Sequence, residues 1–206
     1  MKLFNLPDLD GCTAILGGSF DPIHSGHIHI AKQVMFWSRI SSVVFVPNGK
    51  HHFKSSSVQL GYKQRLSLVK KAIADESNMS VSTADKDGSG FTADFMQQLM
   101  QDNPSTRYVF IIGSDNIATL PKWYNFKWLA SNLHFLVLPR PGYPIDMEVV
   151  KSIRATLLPI ELSTISSTEI KRRIANNEDI SELVPSSIQD EIVQLYSNNK
   201  RIKEGK

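Results

Sequence analysis

The sequence predicts an α/β chain: a doubly wound, mostly parallel sheet with helices on both faces and a small helical lobe at its C-terminal end. Three observations carry this. Short β-rich apolar runs alternate with longer stretches of helical spacing as far as residue 138, the pattern of strand–helix–strand units. The 206 residues, 41% of them hydrophobic and 21% charged, suit one ordinary globular domain with a full core. The alternation then gives way to helical patterns alone near the end of the chain.

In order, the strand candidates are residues 13–16, 42–46, 79–82, 108–112 and 134–138. Helix candidates lie between them at 26–37, 62–75, 92–101 and 126–130. After Arg140-Pro-Gly-Tyr-Pro comes a weak helical pattern over 147–156, then a short strand near 161–162. Two helices follow, 167–175 and 185–196, with Pro185 at a favourable early position. Ile188, Ile192, Val193 and Leu195 fall near one face of the last, as in a helix packed on the body. No repeat, low-complexity stretch or linker divides residues 1–206, so one domain is expected, with a core of about 13–197, a short N-terminal extension and a basic tail. Open sheets of this kind bind ligands at the carboxyl ends of their strands, where the strand order reverses.

Composition narrows the function classes. Nothing in the first residues resembles a secretory signal, because Pro7, Asp8 and Asp10 interrupt any apolar stretch. No apolar run is long enough to span a bilayer. The single cysteine, Cys12, forbids an internal disulfide and suits a reducing, cytoplasmic setting. The net charge of +3 resides in the tail that holds Lys200, Arg201, Lys203 and Lys206, and the rest of the chain is balanced. No nucleic-acid surface and no membrane partner are expected.

The stretch Thr13-Ala-Ile-Leu-Gly-Gly-Ser-Phe-Asp-Pro-Ile-His-Ser-Gly-His27 reads as a phosphate site. A buried strand ends at Gly17-Gly18, where missing side chains let backbone amides approach a bulky anion. The next helix starts near Gly26, and its free N–H groups and positive dipole end favour negative charge. His24 and His27, three apart, can turn to one side and donate hydrogen bonds to oxygens whose charge grows during phosphoryl transfer. Gly26 leaves room for a ligand against the backbone. Histidine pairs and diglycine turns are each common structural features, and His24, His27 and His29 together raise the question of zinc. A zinc site would need further ligands that this segment lacks, so no metal-binding residue is expected.

Taken whole, this segment resembles the HxGH motif of the nucleotidyltransferase superfamily, in its adenylyltransferase form. The resemblance implies a Rossmann-like fold, with Gly17, Gly18, Ser19 and Phe20 lining an ATP site and His24 and His27 stabilising the phosphates in the transition state. Downstream, Gly113-Ser-Asp115 followed by Trp123-Tyr124 resembles the nicotinate mononucleotide adenylyltransferase family, as does Leu138-Pro-Arg-Pro-Gly-Tyr143. By that resemblance Gly113 and Asp115 hold the adenosine and Arg140 contacts ATP. Trp123 stacks on the pyridine ring and Tyr124 helps position its carboxylate through the backbone. On the residues alone, Asp115 is equally a helix cap and the tryptophan equally core.

Ile165-Ser-Ser-Thr-Glu-Ile-Lys171 has the form of a capped helix start. It resembles the superfamily's phosphate-binding signature, with Ser166 and Thr168 matching. Lys171 stands where arginine is usual, keeping the charge without the planar fork, and Arg172 or Arg173 is a candidate to assist. In the loop after the second strand Asn48 and Lys54 match the family's mononucleotide segment, but His51-His52-Phe53 departs from it. Gly90-Phe-Thr92 resembles the family's step into its next helix, and by that resemblance Thr92 lies near the pyridine ring. The resemblance implies AMP transfer from ATP to nicotinate mononucleotide, with Mg²⁺ on the ATP phosphates. Nicotinamide mononucleotide, phosphopantetheine, or a nucleotide sensor without turnover are the alternatives.

Overall fold

A computed structural model describes residues 8–49, 58–160 and 163–204, with side chains to residue 198. Among the described residues six strands form one all-parallel sheet: β1 (Thr13–Gly18), β2 (Ser42–Pro47), β3 (Met79–Val81), β4 (Tyr108–Gly113), β5 (His134–Leu138) and β6 (Arg154–Leu157). Their spatial order is β3-β2-β1-β4-β5-β6. The chain winds outward in one direction from β1 to β3, then returns to the centre and winds the other way from β4. The order therefore reverses between β1 and β4, whose carboxyl ends carry Gly17-Gly18 and Gly113.

The helices are α1 (Ser25–Ser38), α2 (Tyr62–Ala72), α3 (Thr92–Asp102), α4 (Ser114–Ile117), α5 (Phe126–Asn132), α6 (Met147–Lys151), α7 (Ser167–Ala175) and α8 (Gln189–Glu204). Alternate strand residues feed two cores, as the twofold period of a strand demands. Ala14, Leu16, Val43, Phe45, Val109 and Ile111 pack with apolar residues of α1, α2, α7 and α8. Ile15, Val46, Phe110, Ile112, Phe135 and Val137 pack with α3, α5 and α6. The C-terminal helices thus share the core under β1 and β2, through Ile170, Ile174, Ile188, Ile192 and Tyr196. Leu9 and Cys12 of the N-terminal extension join the same core.

One expected element is different. Residues 147–156 do not form a single helix: α6 stops at Lys151, and Arg154–Leu157 becomes the sixth strand, paired with β5 from His134↔Arg154 to Val137↔Leu157. His134 Nε2 and Thr156 Oγ1 meet at 2.8 Å across that pair. The last helix starts at Gln189 after one tight turn over Ser186–Ile188. The short strand expected near 161–162 lies outside the described residues. Among the described residues, no helix is long and apolar enough to cross a membrane.

Candidate active site

β1 delivers its last two glycines beneath aromatic rings. A Cβ on Gly18 would sit 3.2 Å from Phe20 Cζ, and one on Gly17 would touch Phe110 at 3.6 Å. Phe20 has φ +48°, a left-handed conformation that costs a non-glycine residue about 1 kcal/mol. Its ring is buried, 5.0 Å edge-on to His27 and 5.7 Å from Phe45. That packing turns the chain sharply at the strand end and sends the next residues into α1.

His24 is the residue that caps α1, and its backbone N–H donates to His27 Nδ1 at 3.3 Å. The His27 proton must then sit on Nε2, so this nitrogen is a donor. The two imidazoles stack with centroids 3.7 Å apart. Both rings therefore belong to one structure, as their spacing predicted. Gly26 has a different purpose from the one expected. A Cβ there would meet His24 Nδ1 at 3.0 Å and Cε1 at 3.1 Å, so the space is filled by the histidine's own ring rather than left for a ligand.

Burial, followed by the positive charge of Arg140, lowers the His24 pKa to about 4. Burial, then His24, then Arg140 hold His27 well below its ordinary value. Both rings are neutral at pH 7. His24 Nδ1 is buried with no partner, an exception to the rule that buried polar atoms are satisfied. His29 is exposed, and among the described residues no three His, Cys, Asp or Glu side chains cluster to hold a metal ion.

The carboxyl end of β4 supplies the opposite wall. Asp115 Oδ2 accepts from Arg140 Nη1 at 2.7 Å, while its buried Oδ1 has no partner. A Cβ on Gly113 would lie 2.4 Å from that Oδ1, so only glycine permits the carboxylate to fold over the strand end. Arg140 is aimed by a turn: Tyr143 N–H donates to its carbonyl at 3.0 Å, and Gly142 has φ +81°, as the Pro-Gly pair of a type II turn requires. Buried Ser114 secures this turn, accepting from Arg140 N–H at 2.8 Å and donating to the Tyr143 carbonyl at 3.0 Å.

α7 arrives from the C-terminal side. Ser166 caps it, accepting from Glu169 N–H at 3.2 Å, and Ser167 Oγ donates to the Pro22 carbonyl at 2.9 Å. The start of α7 therefore abuts the loop that leads to His24. Thr168 is exposed. Lys171 is ion-paired with Asp21 Oδ2 at 3.1 Å. In the ligand-free structure the two candidate helpers have other partners: Arg172 pairs with Glu169 and Glu178, and Arg173 with Glu169 and the Asp179 carbonyl.

On the other flank, Asn48 follows β2, its N–H bonded to the Gly18 carbonyl at 2.9 Å. Thr92 opens α3. Partly buried Trp123 packs against the core shared by α3 and α5, so part of its indole is structural. Exposed Tyr124 stacks on Phe91 with centroids 4.7 Å apart. Lys54 lies outside the described residues.

Three residues carry more than their sequence context announced. Asp21, 3% exposed, accepts from Tyr196 Oη at 2.7 Å, Gln59 N–H at 2.9 Å, Leu60 N–H at 3.0 Å and Lys171. Burial alone would raise its pKa, but the hydrogen bonds from Tyr196, Gln59 and Leu60, with Lys171, outweigh burial and lower it. Asp85, 1% exposed, accepts from Gly49 and Gly90 N–H, both at 3.1 Å, tying the loop after β2 to the entry of α3. Arg65, 2% exposed, bonds three backbone carbonyls. Only Asp21 had a signal, as the middle of Phe-Asp-Pro; the other two stand in segments that read as solvated.

Residues 15–173 match the family model described as cytidylyltransferase-like. A protein of Herpetosiphon aurantiacus named probable nicotinate-nucleotide adenylyltransferase is 36% identical over 190 residues, covering 87% of this chain and 94% of that one. A Clostridium tetani protein of the same name is 31% identical, covering 89% and 96%. Among solved structures, Plasmodium falciparum nicotinic acid mononucleotide adenylyltransferase complexed with NaAD superposes with a TM-score of 0.77 at 22% identity, over 90% of this chain and 97% of that one. That likeness shows the fold. The same parasite protein complexed with APC gives 0.76 over 91% and 98%.

Proposed function

The chain belongs to the nicotinate-nucleotide adenylyltransferase family, and from that premise we propose that the switch-point crevice between β1 and β4 is where it transfers AMP from ATP to nicotinate mononucleotide. The products are deamido-NAD and pyrophosphate, which makes the chain a nucleotidyltransferase of pyridine nucleotide biosynthesis. The observation that carries the residue assignment is the stacked, neutral pair of buried His24 and half-buried His27 at the start of α1.

An oxygen of the mononucleotide 5′-phosphate attacks the α-phosphorus of ATP, and the bond to the pyrophosphate oxygen breaks on the opposite side. The attacking phosphate is already ionised at neutral pH, so no side chain has to take a proton. His27 Nε2 and the His24 ring donate to oxygens that gain charge as pyrophosphate leaves, in a water-poor setting where such bonds are strongest. Helix dipoles at α1 and α7 add to this, with Ser166, Thr168 and Lys171 on the α7 side. Gly17, Gly18, Ser19 and Phe20 line the phosphates. The unpartnered Asp115 Oδ1 suits a ribose hydroxyl beside Gly113, and Arg140 supplies charge next to it. Asn48, Lys54, Thr92, Trp123 and Tyr124 take the mononucleotide.

Nucleotidyltransferases generally use a divalent metal with ATP. We assign Mg²⁺, entering on the ATP phosphates as part of the substrate. Residues 13–197 act as one domain. A lone buried Cys12 suits the cytoplasm, and a charge-balanced body suits small phosphorylated substrates rather than nucleic acid. The test is pyrophosphate release from ATP and Mg²⁺ with each candidate acceptor in turn. Nicotinate mononucleotide should release it fastest. Faster release with nicotinamide mononucleotide or phosphopantetheine would reassign the acceptor, and none with any of them would leave a nucleotide-binding role.

A further inference from the structure

The loops after β1 and β2 run side by side, with Gly18↔Pro47 the last pair in register and Asn48 N–H on the Gly18 carbonyl. Behind them lies the guanidinium of Arg65, from α2, almost wholly buried. It donates from Nη1 to the Ser19 carbonyl at 2.6 Å, from Nη2 to the Asn48 carbonyl at 2.8 Å and from Nε to the Leu60 carbonyl at 3.2 Å. No carboxylate among the described residues pairs with it directly. Its planar fork spreads donors on separate nitrogens in fixed directions, which suits it to hold two neighbouring loops at once better than the single nitrogen of an ammonium.

Each carbonyl held this way fixes a whole peptide plane. In a trans peptide the N–H points opposite to the C=O. At Asn48–Gly49 the carbonyl faces Arg65 and the amide faces away, where Asp85 Oδ2 accepts it at 3.1 Å. That plane is satisfied on both sides. At Ser19–Phe20 the carbonyl faces Arg65 in the same way, but the Phe20 N–H has no acceptor among the described residues. Phe20 also has a positive φ and lays its ring against His27, so the residue that carries this amide packs directly on the histidine pair.

We propose that Arg65 is a positioning residue that holds the Ser19–Phe20 peptide with its amide turned outward, as a main-chain donor for a nucleotide phosphate. The inference rests on the ATP site assigned above and adds the cause of its backbone geometry. It also explains why a cation is buried in α2 at the cost of desolvation.

Arg65→Lys keeps the charge but loses the planar fork whose separate nitrogens serve the Ser19, Asn48 and Leu60 carbonyls. Kinetics measured on folded protein, with melting followed separately, should show KM for ATP raised at least tenfold. A purely structural arginine would lower the melting temperature and leave the kinetic constants of the folded enzyme alone. KM within twofold of wild type in a folded Arg65→Lys protein overturns the proposal. Should the variant not fold, wild-type amide exchange decides. With Mg²⁺ and α,β-methylene-ATP, the Phe20 amide should exchange at least tenfold more slowly, while the Gly49 amide, already bonded, keeps its rate. An unchanged Phe20 amide overturns the proposal. That arm reads binding without turnover, so it stands apart from a failure of the transferase assignment, which would appear as wild-type protein releasing no pyrophosphate.

Discussion

Adding one methyl group at Gly26 should separate activity from stability. The new Cβ would lie 3.0 Å from His24 Nδ1 and 3.1 Å from Cε1, with Ser163 Cβ at 3.5 Å closing the other side. Carbon contacts are comfortable at about 3.5 Å or more, so the ring has to retreat by roughly half an ångström. Misplacing a reacting group by about 1 Å can cost around a hundredfold, which puts Gly26→Ala near a tenfold loss in kcat. Stability should move the other way or not at all, because alanine in a helix is favoured over glycine by about 0.5–1 kcal/mol. Pyrophosphate release at saturating substrates gives kcat, and thermal unfolding followed by fluorescence gives stability. A folded Gly26→Ala enzyme with wild-type kcat refutes the argument that this glycine exists to seat the histidine ring.

Removing the ring itself, His24→Ala, should lower kcat by about a hundredfold or more, the scale of losing a preorganised donor; unchanged turnover in a steady-state assay would falsify that role. Tyr196→Phe takes one donor from the buried Asp21 carboxylate and should cost about 2 kcal/mol, or about 6 °C in melting temperature for a chain of this size; an unchanged melting curve would show that bond to be idle. His24 has a folded pKa of about 4 against about 6.5 unfolded, so the unfolded chain binds the extra proton between those values. Stability is complete above pH 6.5 and falls as pH drops towards 4, by about 3 kcal/mol from this residue, with His27 adding in the same direction. Urea unfolding of the ligand-free protein across that range should flatten in a His24→Gln variant, and an unaltered slope would contradict the buried, neutral state of the ring.

The sheet and the shape of the segment that carries the two histidines were legible because their signals are contiguous. Thr13 to His27 holds a strand, a diglycine turn, a special loop and a helix start within one segment, and each part has a local physical reason. β6 was not legible. Arg154–Leu157 is short, and Val149, Val150 and Ile153 just before it have helical spacing. Its strand conformation comes from pairing with β5, a tertiary effect that overrides local preference. Arg65 sits in α2 near Lys63, Lys70 and Lys71, and such a run reads as a solvated face. Its burial depends on two loops that approach only once β1 and β2 have paired. The pairing of Lys171 with Asp21 spans 150 positions, and nothing local to either residue announces it.

The central claim is that His24 and His27 face the phosphates of ATP from the start of α1. A crystal structure of the protein with Mg²⁺ and α,β-methylene-ATP tests it most directly. His27 Nε2 and a nitrogen of the His24 ring should each lie within about 3.2 Å of a phosphate oxygen. Rings turned from the triphosphate, with the nucleotide bound elsewhere on the sheet, would contradict the account.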